Sequence, residues 1–305
     1  VEAREYSARL GTIRPEQFQA ALDRFGLGRL LAAEPALAGL FGQNVFLTTS
    51  EGEFVFRGAP HYGWGFAKGE QFRKERFYAR LIHERTAVPA PWPYLLEESE
   101  DLFGWEYAIM PRLPGVQIGL PAERDGLSDD DQGAIATALG VALGELHGLT
   151  WPEIGDYDLE RDTVRPDERP FVERVLDSIE RWYERCRAAA PGALTEADMG
   201  WCESMVSRNA AALQVPFAPT LVHLDYKEAN TVAMREGPGR WRISGVFDLM
   251  GWQVGDPEKD LVRSIVDYAG RRGSQYWDFV AGYRSLRELR PGFRERFSIY
   301  MLRDC

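Results

Sequence analysis

Apolar and polar positions alternate along the chain in segments whose period separates strands from helices. Phe18, Leu22 and Phe25 recur at helical spacing and predict a helix over 15–25. Residues 27–40 are mixed in character, and a second short helix is expected there. Val45-Phe46-Leu47-Thr48 and Phe54-Val55-Phe56-Arg57 read as two strands joined by a turn at Glu51-Gly52. Phe72, Phe77, Leu81 and Ile82 mark the inner face of a helix over 70–86. The run Val88-Pro89-Ala90-Pro91-Trp92-Pro93 breaks that helix and begins an extended segment. Residues 103–110 then read as a buried strand. Beyond this point helices dominate. Ile135, Leu139, Ala142, Leu143 and Leu146 place one over 129–149, and 171–190 and 194–213 give two more. The polar, turn-rich stretch 151–170 lies between the first and second of these. An apolar run at 219–222 and a strand-like run at 241–248 follow, then three helical stretches at 261–269, 274–286 and 293–302.

Length and composition narrow the class. The 305 residues are 45% hydrophobic, enough for one large or two moderate domains. The formal net charge of −11 argues against nucleic acid as a partner. An acidic surface suits a cationic small-molecule partner, although solubility explains the same charge. No apolar run approaches the roughly 20 residues of a membrane span, so no membrane partner is expected. Cys186, Cys202 and Cys305 lack metal-ligand spacing and fit a reduced, cytoplasmic protein. The first residues lack a secretory signal. There is no initiator methionine and the last helix stops abruptly, as expected of a trimmed chain.

The chemistry concentrates in 221–230. Apolar residues deliver the chain to His223, then Asp225, then Asn230, and the run 241–248 ends in Asp248. Phosphoryl transfer from a nucleotide needs this set. One carboxylate accepts a hydroxyl proton, while an amide oxygen and a second carboxylate hold Mg²⁺ against the phosphates. A metallohydrolase built on His223 and Asp225 would need several histidine ligands. The four histidines, His61, His83, His147 and His223, are scattered without ligand spacing. A nucleotide-binding pseudokinase or regulatory module is the other alternative, and the full complement of catalytic residues argues against it.

His223-x-Asp225-x-x-x-x-Asn230 resembles the kinase catalytic loop. The segment Asp248-Leu-Met-Gly-Trp-Gln-Val-Gly-Asp256-Pro-Glu-Lys-Asp260-Leu261 is similar to that of the aminoglycoside phosphotransferase (APH) family, from about residue 40 to about 303. The resemblance implies a bilobal, protein-kinase-like α+β fold. A small antiparallel sheet lobe with helix C would occupy 1–111, and a larger, mainly helical lobe 112–305. It implies ATP or GTP as phosphoryl donor, Mg²⁺ as cofactor and a small hydroxylated molecule as acceptor, either an antibiotic or a metabolite unrelated to resistance. Asp225 would be the catalytic base, with His223 holding the loop and Lys227 neutralising the migrating phosphoryl group. Asn230 and Asp248 would be the metal ligands. Gly42 and Asn44 would belong to the phosphate-covering loop, Arg57 would replace the kinase strand lysine, and Glu75 would pair with it. Met110, Pro111 and Leu113 would form the hinge, where backbone groups read the base. Asp256 and Asp260 would brace loops, His147 would be structural, and Glu258 is left unassigned. The aromatic loop around Gly63-Trp64-Gly65 lacks nucleotide-loop spacing and is read as mobile. Glu173, Asp177, Glu180, Glu184 and Glu203 could greet a cationic acceptor, although each reads more simply as part of a solvated face. Leu-Met-Gly after Asp248, and the lack of an Ala-Pro-Glu element, favour a small-molecule acceptor over a protein.

Overall fold

A computed structural model describes residues 3–36, 42–60, 66–270 and 275–304. Its first part runs β1 (Arg4–Glu5), β2 (Thr12–Ile13), α1 (Pro15–Phe25), β3 (Leu30–Pro35), β4 (Asn44–Thr49), β5 (Gly52–Gly58), α2 (Glu70–Arg85), β6 (Leu95–Glu97) and β7 (Tyr107–Pro111). Strands β3 to β7 form one antiparallel sheet in the order β3-β4-β5-β7-β6. Burial in β4 alternates strictly, with Val45, Leu47 and Thr49 inward, as a sheet with one covered face requires. Phe18 of α1 packs edge-on against Phe56 of β5 at 5.1 Å, so the first helix covers that face.

The second part is mainly helical: α3 (Pro121–Arg124), α4 (Asp129–Leu146), β8 (Gly155–Asp158), β9 (Thr163–Pro166), α5 (Phe171–Ala189), α6 (Glu196–Asn209), β10 (Thr220–Val222), β11 (Thr231–Gly237), β12 (Arg240–Val246), β13 (Gln253–Gly255), α7 (Glu258–Ala269), α8 (Gln275–Arg284) and α9 (Phe293–Asp304). Helices α4 and α8 cross where glycines let backbones touch. A Cβ at Gly140 would lie 2.0 Å from the Phe279 carbonyl oxygen, and one at Gly282 would lie 2.1 Å from that of Thr137. The largest core cluster joins the two parts: Tyr78 and Ile82 of α2 belong with Leu139 of α4, Leu249 and Trp252. No helix among the described residues is long and apolar enough to cross a membrane.

Three expectations are corrected. The helix expected within 27–40 is instead strand β3, paired antiparallel with β4 through Ala33↔Leu47 and Glu34↔Phe46. Its backbone groups find partners on β4, and Pro35 is tolerated because β3 is a sheet edge. The strand expected over 103–110 begins only at Tyr107. Phe103 and Trp105 instead stack at 4.8 Å and pack against Phe56, filling the corner before it. The turn-rich stretch 151–170 contains the antiparallel hairpin β8–β9, which extends the small sheet of β10 and β13.

Candidate active site

Strand β10 is fully buried and ends at Val222, and His223 then enters the candidate catalytic loop. Two successive amides there share one carboxylate. The His223 N–H donates to Asp260 Oδ2 at 2.7 Å and the Leu224 N–H to Oδ1 at 2.6 Å. Asp260, 1% exposed, also lies 3.3 Å from His147 Nε2, and the other nitrogen of that ring faces the Tyr283 hydroxyl at 3.0 Å. The two expectations for this cluster hold as geometry: Asp260 braces the loop, and His147 is a buried structural group. Clamped so, Leu224 adopts φ 68°, a conformation uncommon outside glycine, and the chain turns sharply into Asp225. The His223 ring lies against Trp252 at 4.9 Å, and its Nε2 meets the Phe247 carbonyl at 3.1 Å.

Asp225 itself is 41% exposed on its side chain, and every partner it has holds its orientation. Lys227 Nζ donates to its Oδ1 at 2.8 Å, and Asn230 Nδ2 donates to its Oδ2 and to its carbonyl, both at 2.8 Å. With its amide nitrogen committed to Asp225, Asn230 turns its amide oxygen the other way. The Phe247 N–H donates to the Asn230 carbonyl at 3.1 Å, next to the first rung of the β11–β12 ladder, Thr231↔Val246. Asp248, one residue on, has φ 63° and ψ 57° and a side chain 31% exposed. Residues separated in sequence are thus joined by the backbone pairing of one hairpin.

Arg57 connects this loop to the sheet. Its Nη2 donates to Glu75 Oε1 at 3.0 Å, its Nε lies 3.0 Å from Oε2, and its Nη1 donates to Asn44 Oδ1 at 3.1 Å. The same Nη2 lies 3.4 Å from Asp248 Oδ1. Burial works against the Arg57 charge, but Glu75 and Asp248 outweigh it and raise its pKa above the ordinary arginine value. Glu75 also accepts from the Tyr94 hydroxyl at 2.9 Å and from Gln71 Nε2 at 3.1 Å. Asn44, Arg57, Glu75 and Asp248 therefore form one contiguous group.

The residues expected to form the hinge lie where the sheet meets β11 and β12. Met110 and Pro111 pair with Val55 and Phe54 of β5, and Leu113 packs where Gly245 has no side chain. A Cβ at Gly245 would sit 2.4 Å from Leu113 Cδ1. Val116 and Ala233 then exchange backbone hydrogen bonds at 2.8 and 3.0 Å. Gly42, at φ 57°, offers its carbonyl to the Ser7 hydroxyl at 2.7 Å, so it is held near the N-terminal segment. Phe41 at the start of that loop, and the stretch with Gly63-Trp64-Gly65, lie outside the described residues.

Two groups escape sequence reasoning. Arg263 of α7 places its Nε 3.1 Å from Asp225 Oδ1, although nothing in the local sequence separates it from other helix-surface arginines. Glu258, left unassigned, is the centre of a buried ionic cluster. Arg290 Nη2 lies 3.0 Å and Arg296 Nε 2.6 Å from its Oε2, and Arg290 also meets Asp256 at 2.5 Å. This cluster fixes the turn that starts α7, and α7 carries both Asp260 and Arg263.

Could the residues present accept Mg²⁺? The amide oxygen of Asn230 and the half-exposed carboxylate of Asp248 are both hard oxygen donors, the type that Mg²⁺ prefers. Two protein ligands suffice when phosphates and waters supply the rest. The set fits. Among the described residues, no cluster of three or more His, Cys, Asp or Glu side chains forms an alternative metal site.

A sheet lobe bridged to a helical lobe by an arginine–carboxylate network, with an Asp and an Asn on one loop and a second Asp beside them, defines a kinase-type phosphotransferase. The sequence profile of the phosphotransferase enzyme family (APH) matches residues 33–295, and the chain belongs to that family. Among solved structures, a candidate aminoglycoside phosphotransferase from Ralstonia eutropha JMP134 superposes with a TM-score of 0.63 at 20% identity, covering 95% of this chain and 86% of that one. The macrolide 2′-phosphotransferase MphH from Brachybacterium faecium gives 0.61 at 20% identity, covering 94% and 88%. A thermostable aminoglycoside phosphotransferase APH(4)-Ia in complex with AMP-PNP and hygromycin B gives 0.62 at 16% identity, covering 94% and 87%. Comparison with curated protein sequences finds no match.

Proposed function

We propose that this protein transfers the γ-phosphoryl group of ATP or GTP to a hydroxyl of a small molecule. The observation that carries the reading is the unbroken series of contacts from Lys227 and Asn230 through Asp225, across the Asn230–Phe247 backbone bond, to Asp248, Arg57 and Glu75. Asp225 accepts the hydrogen bond of the acceptor hydroxyl and takes its proton as the new O–P bond forms and the bond to the departing nucleoside diphosphate breaks. The transition state is loose, so aligning the hydroxyl and stabilising spread charge supply most of the rate. Lys227, beside Asp225, neutralises charge on the migrating group. His223 fixes the loop through Phe247. Arg57, oriented by Glu75 and Asn44, meets the phosphates, and Gly42 and Asn44 lie on the loop that covers them. Asn230 and Asp248 would hold Mg²⁺, which when bound draws the phosphate oxygens together and offsets their charge. The base is read by backbone groups of the hinge at Met110, Pro111 and Leu113, with the lobe boundary between 111 and 112. Cys186 and Cys202 are free thiols, which suits a reducing, cytoplasmic setting.

The structural relatives carry names of aminoglycoside and macrolide enzymes, and an antibiotic acceptor is the first class to screen. The test is calorimetric titration of Mg·ATP and Mg·GTP, followed by a nucleotide-consumption screen over hydroxylated antibiotics and metabolites with mass spectrometry of the product. Binding in the micromolar range, lost in Asp248→Ala, and a product heavier by one phosphoryl group are expected. Nucleotide binding that is absent, or indifferent to Asp248, would refute the proposal.

A further inference from the structure

The acceptor side of the site differs in chemistry from what a polyamine needs. A narrow recess opens beside the catalytic loop, with Leu224 as the wall next to Asp225. Val175 and Ile179 of α5 and Ile299 of α9 make it apolar, Tyr300 closes one side, and Ser178 and Lys259 supply its polar edge. The Tyr300 hydroxyl is committed to Asp256 Oδ2 at 2.7 Å, so its ring rather than its oxygen serves the recess. No carboxylate is among the described residues that line it.

The cations around the carboxylate that meets the reacting hydroxyl outnumber it. Lys227 at 2.8 Å and Arg263 at 3.1 Å both approach Asp225 Oδ1, so two cations flank one carboxylate. Arg263 follows Lys259 by one helical turn on α7, which places both on the same face of that helix. The acidic residues of the inserted helices do not compensate. Asp177 pairs with Arg169 at 3.2 Å and Glu184 with Arg187 at 3.1 Å, while Glu173, Glu180 and Glu203 are exposed and none lines the recess. An ammonium group beside the acceptor hydroxyl would find its one carboxylate already paired with two cations, and apolar walls beyond it, which together disfavour it.

We infer that the acceptor is an uncharged hydroxyl compound bearing a compact apolar substituent near its reacting oxygen, seated between Leu224, Val175, Ile179 and Ile299. This rests on the phosphotransfer reading and specifies its substrate class. The apolar substituent displaces water from the recess, and the positive flank of Asp225 selects against polyamine sugars.

Ligand-observed saturation-transfer NMR on the full chain with Mg·ADP tests it, using 4-methylcyclohexanol and kanamycin as probes. Wild type is expected to give transfer to 4-methylcyclohexanol and none to kanamycin. Ser178→Phe, which fills the recess from a half-buried helix position, should weaken the alcohol signal at least tenfold while Mg·ADP affinity is retained. Leu224→Gly removes one wall and should shift preference at least fivefold toward the bulkier 4-tert-butylcyclohexanol. The inference is overturned if kanamycin gives the stronger signal, or if neither variant alters alcohol binding. Failure of wild type to bind Mg·ADP would instead overturn the phosphotransfer reading itself, and this inference with it.

Discussion

Replacing Asp260 by alanine tests whether the catalytic loop is held from beneath by one carboxylate. Asp260 accepts from the amides of His223 and Leu224 at 2.7 and 2.6 Å in a site that is 1% exposed. Hydrogen bonds to a charged group contribute about 1.5–3 kcal/mol each, and deleting the acceptor strands one buried and one part-buried donor. The sum is about 3–6 kcal/mol, and the lower end applies if water enters the space left by the side chain. Unfolding entropy of about 2.1 cal/mol/K per residue gives about 0.6 kcal/mol/K for a chain of 305 residues. A loss of about 3 kcal/mol therefore lowers Tm by about 5 °C. The catalytic consequence is larger than this suggests, because the same amides fix Leu224 at φ 68° and so aim Asp225. Misplacing a reacting group by about 1 Å costs about 10²-fold in rate. Differential scanning calorimetry and steady-state kinetics with any acceptor found by screening read the two effects separately. An Asp260→Ala protein with Tm within about 1 °C of wild type and an unchanged kcat/KM would refute the bracing argument.

Other consequences follow from the same geometry. Asp225→Ala should lower kcat by about 10²–10⁴-fold and leave Mg·nucleotide affinity nearly unchanged, and equal losses in both would show that Asp225 acts on the donor instead. Arg57→Met leaves Glu75 buried without its cation and should destabilise by about 3–5 kcal/mol. Adding Glu75→Gln should restore most of that stability but not the nucleotide affinity. Recovery of both by the double variant would mean that Arg57 is only a structural partner. Asp167 is held below the usual carboxylate range, first by its hydrogen bond from Arg169, against burial, with help from Arg174. Its folded pKa is depressed, so the stabilisation is complete above the unfolded value of about 4 and is lost as pH falls below it toward the folded one. Asp167→Asn should flatten the stability profile below roughly pH 4, measured by denaturant titration, and parallel wild-type and variant profiles would exclude this contribution.

The line between what sequence fixes and what folding decides runs between local and distant partners. His223, Asp225 and Asn230 were legible because their relation is set by eight consecutive residues whose backbone is one short loop. The helices α1, α2 and α4 were legible because their apolar faces repeat within a single element. Glu75 was nameable only through its resemblance to the kinase helix-C glutamate, since its contact with Arg57 is made by the packing of α2 on β5. Strand β3 was misread because its composition permits helix or strand, and only pairing with β4 selected between them. The hairpin β8–β9 was invisible for the same reason: its ladder extends a sheet whose other strands come much later in the chain. Arg263 illustrates the limit most plainly. On the chain it is one arginine among many, and only the packing of α7 against the catalytic loop brings it to Asp225. Local sequence determines which conformations each segment can adopt, because backbone sterics and apolar period act within a few residues. Which charges face each other, and which wall a recess is lined by, depends on contacts between segments far apart, and those exist only once the core has closed.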